Sequence, residues 1–268
     1  MPSPPPAAPA GLACPRAGGG VWLEVAYAEK DHAKSLGARW DPDTRMWYAL
    51  PGQEQSLSPW WALPSAFPWE DRAFGSGLFV DLIPDSCWFT NVRSCVSTRD
   101  WFRIRKMVYG RAGNRCETCG AVENTDAGIR MEAHERWLYD DESHVQYLRR
   151  LVCLCTLCHQ STHFGYAEVT GNGARAFAHL SSVTGYTNEQ SAKHIADAIV
   201  VWRRRSRYDW TLNLRMLTDA GIAVAPPVRG PERRAVAERQ TQAVRPMPEP
   251  LGHGGEETGM SIRPIHRD

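Results

Sequence analysis

Cys116-Glu-Thr-Cys119 and, after 35 intervening residues, Cys155-Thr-Leu-Cys158-His159-Gln-Ser-Thr-His163 are the stretches that decide how this 268-residue chain is read. Two Cys-x-x-Cys knuckles held apart by a structured insert are the ligand set of a tetrahedral structural zinc. Each knuckle sets two thiolates about 3.5 to 4 Å apart around an ion whose bonds are about 2.3 Å long. Asn114 before the first knuckle and Gly120 after it suit the tight turn of such a loop. Four unlinked buried cysteines are the alternative. Cys153 offers a competing sulfur, but the two-residue spacing to Cys158 selects Cys155, and Cys153, two positions earlier on a strand, is expected to face the core.

His159 and His163 lie four residues apart where a helix is expected to begin. On a helix both imidazoles share one face at a separation of roughly 6 Å, which one metal ion can span. His134 must then arrive from another element, and the alternation of Ile129-Arg-Met-Glu-Ala-His134 predicts a strand that can deliver it. The expectation is a strand, a strand and a helix around one divalent cation; the alternative is that His159 and His163 join the zinc site or cap the helix.

Thirty-one basic against 30 acidic residues leave the chain nearly neutral, so any basic footprint for nucleic acid must be local, as in Arg99 through Lys106 or Arg203-Arg204-Arg205-Ser-Arg207. Cations at the end of a helix also satisfy its dipole, which covers the second cluster equally well. No run of 18 apolar residues exists, and the Pro-rich start lacks the basic and apolar parts of a secretory signal. A cytoplasmic protein is expected, without membrane contact. In that reducing setting eight cysteines, five of them between 116 and 158, read as metal ligands before disulfides.

Five regions follow from the texture of the chain. Residues 1–20 are expected to be disordered, 21–51 a small Trp-rich α+β domain, 52–77 a Pro- and Trp-rich linker, 78–225 the zinc domain with C-terminal helices, and 226–268 a disordered tail. In the small domain an alternating strand from Val21 leads to a short helix over Ala28 to Leu36 stopped by Gly37, and then a hairpin turns at Asp41-Pro42-Asp43-Thr44. Trp22, Trp40 and Trp47 either form its core or, flanked by Arg39 and Arg45, stack on single-stranded nucleic acid. In the larger domain Leu78 to Ile83 is an apolar run broken by Pro84. A helix is expected after the N-cap Ser97 with Trp101, Ile104 and Val108 as its buried stripe, and another after Thr187 with Gln190 completing a capping box. Arg99, Arg103, Arg105 and Lys106 fall mostly off the first stripe and could lie along phosphates.

Two family resemblances sharpen these expectations. Through Glu29-Lys30, Leu36-Gly37-Ala38-Arg39-Trp40-Asp41 and Trp47-Tyr48, residues 21–51 resemble a small domain of unknown function appended to DNA-processing proteins such as plasmid-borne primases. Their texture is also distantly similar to a repeat that annealing helicases use on forked DNA. Residues 103 to 165 resemble the HNH superfamily of ββα-metal nucleases, in the subgroup with a four-cysteine zinc. That likeness implies an α+β fold with a treble-clef zinc domain, and metal-dependent hydrolysis of phosphodiesters in DNA. It implies structural Zn2+ on Cys116, Cys119, Cys155 and Cys158, and Mg2+, Mn2+ or Zn2+ on His134, His159 and His163. His134, Glu135 and His159 are the catalytic candidates, and Arg39, Arg45, Arg103, Lys106 and Arg150 the nucleic-acid contacts.

The chain departs from the family at two positions. With His134 as the metal ligand, Glu135 stands where the general-base histidine is expected; with His134 as the base, Ala133 cannot ligate. Arg150 stands where the family has its central asparagine. Glu135 as base or ligand, or His144 swinging in from the insert, are the ways to fill the gap. A zinc module that binds nucleic acid or protein without catalysis is the competing expectation, and a structural or regulatory protein a third.

Overall fold

The computed structural model describes residues 13–14, 20–226 and 228–244, and it is an α+β architecture with two small sheets. The expected disordered lead-in over 1–20 and most of the expected tail lie outside the described residues. Where they overlap, the structure corrects them. Ala13–Cys14 forms β1, paired antiparallel with β2 at Gly20–Leu23, and Gly230–Val244 forms a fifteen-residue helix.

The first sheet runs β1, β2, β4 and β3, with α1 (Lys30–Ser35) between β2 and the hairpin of β3 (Arg39–Asp41) and β4 (Met46–Ala49). Gly37 ends the helix at φ 101°, a conformation open to glycine. Asp41 caps the hairpin turn, accepting from Asp43 N and from the Thr44 hydroxyl. The core of this unit is not the three expected tryptophans. It consists of Leu23, Ala33, Ala38, Ala49, Leu57 and Trp60, and Trp40 stays 47% exposed. Residues 54–62, expected in a linker, complete the unit, with Glu24 N bonded to Trp60 O and Ala62 N to Trp22 O. The rest of the supposed linker joins the main body: Leu63 and Phe67 are core residues, and Glu70 is bound by Arg111.

The second sheet is a long hairpin of β5 (Met131–Asp140) and β6 (Val145–Cys155), with β7 (Thr211–Asn213) parallel to β6; β5 is therefore an edge. Around it stand α2 (Val92–Cys95), α3 (Thr98–Arg111), α4 (Thr156–Thr162), α5 (Phe164–Val169), α6 (Gly173–Thr184), α7 (Asn188–Arg205), α8 (Arg215–Thr218) and α9 (Gly230–Val244). Local signals place two of these as expected. Ser97 Oγ accepts from Asp100 N at the start of α3, and Thr187 with Gln190 forms a reciprocal capping box on α7. Ile104, Met107 and Val108 of α3 pack with Leu151, Val152 and Leu154 of β6 in the main core. Leu78, Val80 and Leu82 are buried alternately along an extended segment tied to α4 through Asp81 N and Thr162 O.

The tail helix α9 was hidden by its polarity. Its anchor is Arg233, wholly enclosed and donating to the hydroxyl and carbonyl of Thr90, to Trp210 O and to Gln146 Oε1. A sequence pattern built on apolar stripes gives no weight to an arginine in a core position.

The two units meet along α3. Arg99 donates twice to Glu29 Oε1, at 3.0 and 2.6 Å, while its guanidinium lies over the Trp60 ring. Arg103 is buried and donates to Trp61 O and Asp100.

Candidate metal centre and its cleft

The two cysteine knuckles come together at the root of the β5–β6 hairpin. Cys116 N bonds Ala121 O, and Gly120 N bonds Cys116 O with Gly120 at φ 75°, so the first knuckle turns tightly back on itself. Glu117 clips that knuckle to β6: its N–H donates to Cys153 O and its carboxylate accepts from Cys153 N. The second knuckle spans the end of β6 and the start of α4, where Cys155 is the N-cap and its sulfur accepts from Cys158 N. The sulfurs of Cys116, Cys119, Cys155 and Cys158 all lie within 4.8 Å of one another.

Their chemistry fits a cation. Hydrogen bonds from Cys155 and Cys158 favour the thiolate of Cys116, and holding those protons pushes the Cys155 thiol up to about 12 and Cys158 up as well. Four cysteine sulfurs at this spacing could hold a metal ion, whose charge would favour the thiolate form at each. Cys153 lies outside the cluster; burial and the charge of Cys116 push its thiol up to about 12. A neighbour that the spacing did not announce is His179 of α6, whose Nε2 is 3.2 Å from Cys158 Sγ.

A second cluster lies beyond the first turn of α4. His134 comes from β5, His159 from α4, and His163 from the residue between α4 and α5, and each offers a nitrogen within 4.8 Å of the others. The ring centroids are 4.7 to 5.2 Å apart. Both nitrogens of His134 and Nδ1 of His163 are buried with no hydrogen-bond partner, which normally costs on the order of 1–3 kcal/mol per group. Burial holds the His134 imidazole well below the ordinary histidine range, with nearby His163, Arg136 and His159 acting in the same direction. The same burial depresses His163. Neutral imidazoles with unused lone pairs are the form that ligates a metal.

Strand alternation sorts the carboxylates. Glu132 and His134 share the α4 face of β5, and Glu132 Oε2 lies 2.9 Å from His159 Nδ1. Burial alone would raise the Glu132 pKa, but the hydrogen bond and charge of His159 and the Thr156 hydroxyl outweigh it and hold the carboxyl low. Glu135 points to the opposite face, where it accepts from Val92 N at the start of α2. Both carboxylates, His159 and His163 nevertheless line one cleft of about 500 Å³ that wraps the free edge of β5.

Other candidates stand apart. His144, expected to swing in, sits at the far tip of the hairpin stacked on Tyr208 at 4.2 Å. Arg103 and Arg150, expected on nucleic acid, are turned inward: Arg150 donates to Phe74 O, Ser76 Oγ and Glu117. The missing asparagine position is thus filled by a structural ion pair. Arg204 and Arg205 of the basic cluster engage Asp141. Arg39, Arg45 and Lys106 are exposed. Sequence reasoning passed over Arg136, which is enclosed on the His134 face with its guanidinium over Phe79.

The family-model match falls on the first unit. Residues 21–62 match the family model described as "Domain of unknown function (DUF5710)", so the unit extends past the expected boundary at 51. Over 45 residues the chain is 47% identical to a DNA primase TraC of Escherichia coli, a stretch that is 17% of this chain and 3% of the primase. The chain thus spans a small fraction of the length of this curated relative. No solved structure matches. Among the described residues no helix is long and apolar enough to cross a membrane.

Proposed function

We propose that the chain is an HNH-like, metal-dependent endonuclease that hydrolyses phosphodiester bonds in DNA, built on a treble-clef zinc scaffold. The observation that carries this is the convergence of His134, His159 and His163, two of them with buried nitrogens lacking partners, beside an open cleft. In this account Zn2+ occupies the four cysteines, and His134, His159 and His163 hold Mg2+, Mn2+ or Zn2+. A cation there would supply charge neutralisation at the scissile phosphate and at its leaving oxygen. Glu132 keeps a proton on His159 Nδ1, which makes Nε2 the coordinating atom and fixes the ring. His134, only 2% exposed, serves as a ligand rather than as a base. Glu135, which lines the same cleft and accepts from Val92 N, is then the carboxylate assigned to take a proton from water. The short likeness to a DNA primase supports DNA as the partner, with the Trp-rich unit adding affinity through Arg39, Arg45 and the exposed Trp40.

Incubating supercoiled plasmid with the zinc-loaded protein and Mg2+, Mn2+ or Ni2+ tests the proposal. Nicking that disappears in His163→Ala supports it, and no nicking with any metal counts against it. A module that keeps the scaffold without hydrolysis is the alternative, and one observation favours it: Glu135 lies on the opposite face of β5 from His134 and is engaged by Val92 N.

A further inference from the structure

The cleft beside the histidines has an unusual wall. Phe89 adopts φ 64°, a left-handed conformation that a bulky side chain rarely takes. The residues after it are locked from three sides. Arg233 holds both the hydroxyl and the carbonyl of Thr90, Asn91 forms a reciprocal capping box with Ser94 at the start of α2, and Val92 N donates to Glu135. Strain that persists because its surroundings over-determine it is a mark of a preformed binding element.

Charge decides what that element can receive. Among the described residues lining the cleft Arg93 is the one arginine or lysine, set against Glu132 and Glu135. Duplex binding draws its affinity from many phosphates neutralised by lysine and arginine, and the described residues of this cleft supply no such track. It offers instead aromatic surface from Phe89 and Tyr166, and the amides of Gln160 and Gln240. Those groups stack on the faces and hydrogen-bond to the Watson–Crick edges of bases, which a duplex hides. A volume of about 500 Å³ fits one nucleotide.

We propose that the cleft takes an unpaired nucleotide, its base against Phe89 and its phosphate toward the histidines, so that the substrate is single-stranded or locally unpaired DNA. This deepens the nuclease assignment and rests on it for the placement of the phosphate.

The test uses the full chain, zinc-loaded and supplied with Mn2+. Its probes are a fluorescein-labelled phosphorothioate thymidine strand of about twelve nucleotides and a blunt duplex of the same length, followed by anisotropy. Phe89→Gly removes the ring while admitting the left-handed backbone, so an unchanged or higher melting temperature verifies the fold. The single strand is expected to bind the parent at least about tenfold tighter than the duplex, and Phe89→Gly to erase about tenfold of single-strand affinity with the duplex unmoved. The same loss must persist in a Trp40→Ala background, which removes the aromatic face of the first unit. Equal affinity for both probes, or a Phe89→Gly protein that binds the single strand like its parent, overturns the inference. Plasmid nicking that survives such a result leaves the nuclease assignment intact, and a Phe89 effect without cleavage by any metal overturns the assignment alone.

Discussion

Glu132 on β5 and His159 on α4 face each other across the histidine cluster, carboxylate oxygen to Nδ1 at 2.9 Å. The pair links the edge strand to the helix that carries His159 and ends at His163. It also sets which nitrogen of His159 has a lone pair to offer. Glu132→Ala is therefore expected to weaken Mn2+ binding by about 10- to 100-fold, as for other carboxylate partners of ligating histidines. Calorimetric titration of the zinc-loaded protein measures this, and zinc content at the four cysteines should be unaffected.

The cysteine cluster predicts a sharp contrast between two neighbours. Cys119→Ala removes a ligand, and because the free energy of a structural zinc is folding free energy, of order 10 kcal/mol in small domains, metal content and the fold around residues 116–158 should both collapse. Cys153→Ala should retain one zinc per chain, since that thiol stands outside the cluster. Elemental analysis with circular dichroism distinguishes the two variants.

Glu70 is a buried carboxylate with no exposed side-chain surface, gripped by Arg111 and by the N–H groups of Leu151 and Phe67. Burial works to raise its pKa, but the Arg111 hydrogen bonds and charge and the two backbone donors prevail and lower it. Its folded value thus lies below its unfolded value of about 4.3, so the stability it contributes is present above that pH and lost as pH falls through the folded value. Glu70→Ala leaves the Arg111 charge with only the carbonyls of Ser65 and Leu151 and should cost about 3–5 kcal/mol at neutral pH. Urea titrations at neutral and acid pH should show the gap between variant and parent closing on acidification.

Arg233 ties α9 to the cleft wall through four acceptors on three residues. Arg233→Ala leaves Gln146 and Thr90 without their donor in the core and should cost at least about 2 kcal/mol, with α9 released. Hydrogen exchange over 230–244 and at Thr90 reports that release, and protection matching the parent would rule it out.

The legibility of the chain varied with the kind of interaction. Knuckle spacing and helix caps are local chemistry, and Cys116 to Cys158, Ser97 and Thr187 stand where their motifs placed them. The three histidines, expected around one ion, come together with ligating atoms within 4.8 Å. Tertiary pairing was not legible. Trp60 reads as linker until Leu23 and Ala33 are seen beneath it, and Arg103, Arg150 and Arg233 read as surface charge until their buried acceptors are known. A sequence reports the cost of burying an arginine but not the partners that offset it.

The most direct test of the account is whether the histidines form a second metal site. In Mn2+ titrations of zinc-loaded protein followed by electron paramagnetic resonance, the parent should bind one Mn2+ per chain and His163→Ala none, with zinc content equal in both. Identical Mn2+ binding by parent and variant, or none by either, would contradict it.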